Sequence, residues 1–243
     1  WIDVPLDIQS KKFVSRNQSK IKKQKGKINK IENNKIIKSI KMIKSSTRPL
    51  VLVGNGVHIS EAEKKFFNFI KKSKIPFLST WNASDLIASD HDLYFGRPGL
   101  FGNRIANFAI QSCDLLIVLG SRLSVPITGY QMKNFSPHSK KIFVDIDKKE
   151  TIKRKLKSSL SVINDVGLYL SELNKKLKKI DKKVNWVNKL NKLKLSLDED
   201  NKYKKNKNYI NSFRFINSLS KVLTGKENIV TDMGTSFTCT MQS

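Results

Sequence analysis

Residues 48–60 read RPLVLVGNGVHIS, in which the apolar run Leu50 to Val53 enters Gly54-Asn55-Gly56 ahead of a more polar stretch. A short apolar run without alternation fits a strand covered on both faces, as in the middle of a parallel sheet. The glycines permit a tight turn. Ser60 and Glu63 have capping-box spacing, which predicts a helix over 61–72. On that helix Ala62, Phe66, Phe67, Phe69 and Ile70 would cover the sheet.

Working outward, strand and helix signals keep alternating. Upstream, Ile28, Ile31, Ile36, Ile37, Ile40 and Ile43 follow helical spacing until Arg48-Pro49 interrupts it. Downstream, IPFLST (75–80), DLLIVLG (114–120), KKIFVDID (140–147) and a short stretch at 160–163 read as strands. Helices are predicted at 104–112, with Ile105, Phe108 and Ala109 inward, and at 165–178. Repeated β-then-α units with short links predict an α/β fold with a doubly wound, Rossmann-like parallel sheet over 48–178.

The flanks differ. Residues 1–9 read as the last strand of a preceding domain, and 10–47 as a basic linker and lead-in helix. A second linker covers 179–208, interrupted by a short helix near Trp186. The segment 209–243 opens another domain, with an amphipathic stretch at 211–223 (Phe215, Ile216, Leu219 and Leu223 on one face) and a strand at NIVTD, 228–232. Both ends read as cuts through a larger protein.

Composition narrows the function classes. With 243 residues, 39% of them hydrophobic, the chain can bury a core. No run of 18 apolar residues is present and the N-terminus lacks a signal pattern, so neither a membrane partner nor export is expected. Cys113 and Cys239 lie far apart without a partner motif, which fits a reducing, cytoplasmic setting and no structural zinc. The net charge of +27 comes from 47 basic against 20 acidic residues. Only 7 of the 47 are Arg, and the densest runs, SKIKKQKGKINK and LNKKLKKIDKK, lack the interleaved aromatics of single-strand binders. The excess reads as compositional drift, giving weak adhesion to polyanions but no specific nucleic-acid partner.

Few residues offer chemistry. Gly54 and Gly56 match two glycines of a dinucleotide fingerprint, but Ile59 stands at the third and 75–80 lacks the ribose-binding acid. The loop is then either a tight turn or an anion site at a helix N-terminus. Asp85, Asp90, His91 and Asp92 are scattered along the long loop 81–103 without metal-ligand spacing. His58 and His138 read as isolated residues. Gly120 and Arg122 follow the third predicted strand, while Asp145 and Asp147 end the fourth, placed to accept ribose hydroxyls or to cap a helix. Gly54, Gly56, Gly120, Arg122 and Asp145 thus outline a nucleotide crevice without a nucleophile or base. From residues alone this is a nucleotide-binding or structural module, with no catalytic residue assigned.

The stretches RPLVLVGNGV, IPFLSTWNASDLIASDHDLYFGRPGLFGNRIANFAIQSCDLLIVLGSRL and KIFVDID resemble the central domain of acetolactate synthase-like thiamine-diphosphate enzymes. WIDVPLDIQ (1–9) is similar to the end of that family's pyrimidine-binding domain, and NIVTDMGTSFTCTMQS to the start of its diphosphate-binding domain. The resemblance implies thiamine diphosphate and Mg2+ in the complete protein, a 2-keto acid substrate undergoing decarboxylation or carboligation, and a homodimer or homotetramer. It places Gly234, Thr235 and Ser236 near the diphosphate. It also puts the catalytic glutamate upstream of Trp1 and the Gly-Asp-Gly…Asn motif beyond Ser243, so the isolated chain is expected to be inactive. Acetolactate synthases carry Gln-His-Gln where this sequence has Thr235-Ser236-Phe237, which implies a different substrate branch. Their central domain holds FAD, with an Arg at the place of Arg122 followed by Asp-Asp-Arg. Here Ser124-Val125-Pro126 replaces those charges, so the resemblance leaves Arg122 as a candidate nucleotide contact and FAD as a candidate cofactor that only part of the pattern supports.

Overall fold

A computed structural model describes residues 2–12, 30–152, 156, 159–180, 183–197 and 208–242. Helices α1 (Leu6–Gln9) and α2 (Asn33–Ser45) precede strand β1 (Pro49–Val53). A one-turn helix α3 (Gly56–Ile59), then α4 (Glu63–Ser73) and β2 (Phe77–Ser79), follow. A 3-10 segment at Trp81–Leu86 leads through a long loop to α5 (Arg104–Ser112) and β3 (Leu115–Leu119). Next come α6 (Val125–Thr128), β4 (Lys140–Asp145), α7 (Lys148–Ile152), β5 (Leu160–Ile163) and α8 (Val166–Lys176). The chain continues with α9 (Val184–Ser196), α10 (Ser212–Ser220) and α11 (Thr235–Gln242).

The five strands form one parallel sheet in the order β2-β1-β3-β4-β5. Every residue of β1 and β3 is buried, which accounts for their unbroken apolar runs. Alternate side chains point to opposite faces. Val51, Val53, Ile117, Leu119, Ile142 and Val144 pack with Ile36, Phe66, Phe69, Tyr169 and Leu173 from α2, α4 and α8. Leu50, Leu52, Leu116, Val118 and Phe143 meet Ile105, Ala109, Trp186 and Leu190 from α5 and α9. Each fully buried Leu, Ile, Val or Phe of these layers contributes about 1.5–3 kcal/mol of transfer free energy. Asp114 fixes the entry to β3. Its carboxylate accepts from the backbone of Thr47 (2.8 Å) and Arg48 (3.0 Å) and from the hydroxyls of Ser46 and Thr47, which hold it below the usual carboxylate range despite burial.

Lys141 is buried on β4 at 5% exposure. Its ammonium donates to the carbonyls of Ser136 (2.6 Å) and Ser139 (3.1 Å), and burial pushes its pKa below the usual lysine range. Nearby Cys113 is buried and its thiol is pushed up to about 11, chiefly by desolvation.

The predicted doubly wound sheet is present, with the helix 104–112 and the strand 160–163 at their predicted bounds. Several local expectations change. The capping box does not form, because α3 intervenes. Ser60 Oγ donates back to the Gly56 carbonyl (2.8 Å), and α4 starts after Ala62 with no side-chain cap. Among the described residues no strand forms over 1–9 or 228–232. Part of the first is α1, and Ile229 and Val230 of the second are exposed, since a strand persists only where a neighbour pairs with it. The helix near Trp186 is no short interruption: α9 runs thirteen residues and buries Trp186, Val187 and Leu190. On α2, Ile36 and Ile43 are buried but Ile37 faces outward; Ile28 lies outside the described residues. So does almost all of the lysine-rich run 19–30. No helix among the described residues is long and apolar enough to cross a membrane.

Candidate functional site

A cleft of about 470 Å³ opens at the carboxyl ends of β1, β3 and β4. The sheet order makes this the place where successive crossovers leave β1 in opposite directions, the switch point at which open α/β sheets bind ligands. The size suits a small organic molecule.

Glycines build its floor by letting two loops touch backbone to backbone. A Cβ on Gly54 would meet the Gly120 carbonyl oxygen at 2.4 Å, and one on Gly56 would meet Gly120 Cα at 2.7 Å. Gly120 adopts φ +56°, the left-handed conformation that favours glycine. The amides of the three glycines are engaged within the protein. Gly54 N–H donates to Leu119 O (2.9 Å), Gly56 N–H to Gly120 O (3.0 Å), and Gly120 N–H to Val144 O (2.9 Å).

The walls are apolar. Ile59 and Ile146 line the cleft and are 78% and 71% exposed, with Trp81, Ile127 and Val166 further in. The charged lining residues are Arg122, Asp145 and Asp165. Arg122 Nε donates to Glu150 Oε1 at 3.4 Å. Asp165 caps α8 by accepting from Leu168 N–H (2.8 Å). Burial raises the Asp145 carboxyl above its usual range; nearby Glu150 and Asp147 add to this, and backbone donors from Asp147 and Ile146 oppose it. Asp147 turns its carboxylate to Lys149 N–H (2.8 Å), the capping alternative open in the sequence.

The structure therefore brings Gly56, Gly120, Arg122 and Asp145 around one cleft, with Gly54 packed beneath it. Gly234, Thr235 and Ser236 are not among its lining residues. They start α11, where Gly234 has φ +92° with open space around it and Ser236 Oγ donates to Asp232 O (2.8 Å). That helix docks beside the cleft. Phe237 packs edge-on against Trp81 (5.4 Å between centroids), and the buried Arg97 donates to the Gln242 carbonyl (2.9 Å). Trp81, Asn82 and Asp165 are lining residues that sequence reading passed over. Only fold geometry places them there, although Asp165 ahead of a helical pattern was readable as a cap.

His58 is not isolated. Nδ1 lies 2.8 Å from Glu63 Oε1, and Nε2 lies 3.0 Å from Asp85 Oδ1. Burial lowers its pKa, but the two carboxylates outweigh this, so it sits above the usual histidine range. Among the described residues no group of three or more His, Cys, Asp or Glu could hold a metal ion.

Comparison with known proteins adds to this geometry. The family described as "Thiamine pyrophosphate enzyme, central domain" matches residues 36–173. The chain is similar to the acetolactate synthase large subunit of Pyropia yezoensis, 32% identical over 185 residues (73% of this chain, 30% of that protein). A probable acetolactate synthase large subunit of Methanocaldococcus jannaschii is 33% identical over 211 residues (82% of this chain, 34% of that protein). The isozyme 2 large subunit of Escherichia coli is 31% identical over 140 residues (58% and 25%). The chain spans about a third or less of the length of these relatives.

Proposed function

Because the chain belongs to the thiamine pyrophosphate enzyme central-domain family, we propose that it is the middle part of an acetolactate synthase-like enzyme acting on a 2-keto acid such as pyruvate. The family match over 36–173 carries this reading, supported by relatives named as acetolactate synthase large subunits. In our reading 1–9 ends the pyrimidine-binding domain, 10–47 and 179–208 are connecting segments around the central domain at 48–178, and 209–243 begins the diphosphate-binding domain.

Thiamine diphosphate supplies the electron sink for breaking the bond to the substrate's carboxylate. The part of this chain that suits it is the start of α11. Gly234 has no side chain to block approach, and first-turn amides of a helix favour anions. Thr235 and Ser236 would stand at the diphosphate, and the Mg2+ that the family resemblance implies is assigned to none of the residues named here. Phe237 packs on Trp81 and Arg97 grips the far end of α11, so the central domain would position that turn. The crevice at Gly54, Gly56, Gly120, Arg122 and Asp145 is a binding or supporting element in this scheme and takes no part in bond making. A homo-oligomer and a cytoplasmic setting complete the proposal.

The test is to express the complete reading frame and follow pyruvate consumption. We expect turnover that requires both thiamine diphosphate and Mg2+, and none from the 243-residue chain alone. Turnover independent of thiamine diphosphate, no turnover of any 2-keto acid, or activity of the isolated chain would each overturn the reading. Gly234→Val is expected to raise the thiamine diphosphate concentration needed for half-maximal activity.

A further inference from the structure

We propose that a second cavity, at the other end of the sheet from the switch-point cleft, binds a small organic anion: a carboxylate carried on an apolar body. It shares no residue with the thiamine-diphosphate reading, and either can fail without the other.

The cavity measures about 390 Å³, within the range of small-molecule sites. It lies between the end of α4, with its cap residue Lys74, and residues 91–93 of the long loop. That loop is tied to the start of β2, where Phe77 N–H donates to Leu93 O (2.8 Å). The end of α4 and the start of the next parallel strand sit at the amino ends of the strands, whereas the cleft sits at their carboxyl ends.

Phe67, Ile70 and Leu93 give the cavity its apolar wall. The polar groups around it are chiefly donors with no partner. Lys71 and Lys74 make no hydrogen bond or ion pair among the described residues. Lys72, between them, shows the contrast, for its ammonium donates to the Asn174 carbonyl (2.6 Å). His91 Nδ1 accepts from Leu93 N–H (3.1 Å), which leaves the ring proton on Nε2 as a further donor. Edge-on packing against Phe77 (5.4 Å between centroids) holds that ring in place. Two carbonyls at the end of α4 that would compete for these donors are already occupied. Ile70 O accepts from Lys74 N–H (2.8 Å) and Lys72 O from Ile180 N–H (3.1 Å). Asp92 is the acid among the lining residues, and it is exposed.

Two ammonium groups and an imidazole N–H suit an anion, because charge-assisted hydrogen bonds are the strong ones. The apolar wall selects among anions. A bare inorganic ion gains nothing from Phe67, Ile70 and Leu93 and gives up hydration beside them, while a carboxylate on a hydrocarbon body uses both halves of the cavity.

The experiment is calorimetric titration of the purified protein at neutral pH and fixed ionic strength with 3-phenylpropionate, its neutral counterpart 3-phenylpropan-1-ol, and inorganic phosphate. We expect 3-phenylpropionate to bind about tenfold tighter than either of the others. Lys71→Gln/Lys74→Gln, with its fold checked by circular dichroism, should weaken 3-phenylpropionate by about tenfold. Lys64→Gln/Lys65→Gln removes the same charge from the same helix away from the cavity and should leave the affinity within about twofold. An equal loss in both double variants would mean attraction to overall charge only and would overturn the proposal. So would the alcohol or phosphate matching 3-phenylpropionate, no loss in Lys71→Gln/Lys74→Gln, or no binding of 3-phenylpropionate up to about 10 mM.

Discussion

Trp81 and Trp186 are expected to respond differently to the same substitution. Trp186 is buried and its indole donates to the Pro49 carbonyl at 3.1 Å, tying α9 to the start of β1. Trp81 stacks on Phe101 (6.5 Å between centroids) and meets Phe237, but its buried Nε1–H has no partner among the described residues. An unpaired buried donor costs about 1–3 kcal/mol, whereas a made hydrogen bond contributes about 1 kcal/mol net. Trp186→Phe is therefore expected to lower stability by about 2 kcal/mol, and Trp81→Phe to leave it level or raise it by about 1 kcal/mol, read from urea midpoints. His58 adds a pH-dependent contribution. Its folded pKa lies above the ordinary histidine value of 6.5, so its stabilisation is complete below that value and is lost as pH rises through the folded one. His58→Gln should lose about 0.5 kcal/mol in mildly acidic solution and almost nothing in alkaline solution, with the loss shrinking as salt rises, because Asp85 is 78% exposed. A pH-independent loss would refute the ion-pair account.

At the scale of elements, the contact between the β1–α3 turn and the turn after β3 decides more than either strand's propensity. Gly54→Ala places a methyl 2.4 Å from a backbone oxygen that cannot move without dragging β3, so a loss of about 3 kcal/mol is expected. Gly225→Ala is the useful contrast. Nothing lies within 4 Å of its Cβ position, and only its φ of +83° resists, so roughly 1 kcal/mol is expected in thermal unfolding. These elements were legible in the sequence to unequal degrees. β1 and β3 are unbroken apolar runs and α5 is strongly amphipathic, so strand, helix and layer order could be read directly. The glycines at 54, 56 and 120 were legible as turn residues. That Gly54 and Gly56 donate across the cleft floor to the carbonyls of Leu119 and Gly120 was not, because the pairing joins positions some 65 apart. His58 was misjudged for the same reason, since Asp85 reaches it from another loop. The residues at 228–232 have strand composition, but composition alone provides no neighbour to pair with.

For the whole molecule, the charge of +27 is a surface property with a testable limit. The protein should bind heparin or random DNA at low ionic strength and release it by about 0.2 M salt, without sequence preference. Retention of one sequence above that salt would mean that a specific interface exists. The same abundance of lysine gives one residue an unusual use. The chain has 40 lysines, and Lys141, on a central strand, is the buried one among the described residues. An acylating reagent will modify exposed amines within minutes, yet it reaches Lys141 only when β4 parts from the 136–139 loop. The delay before that single acyl group appears in a mass spectrum is a clock for opening of the sheet, already written into the chain and needing no label.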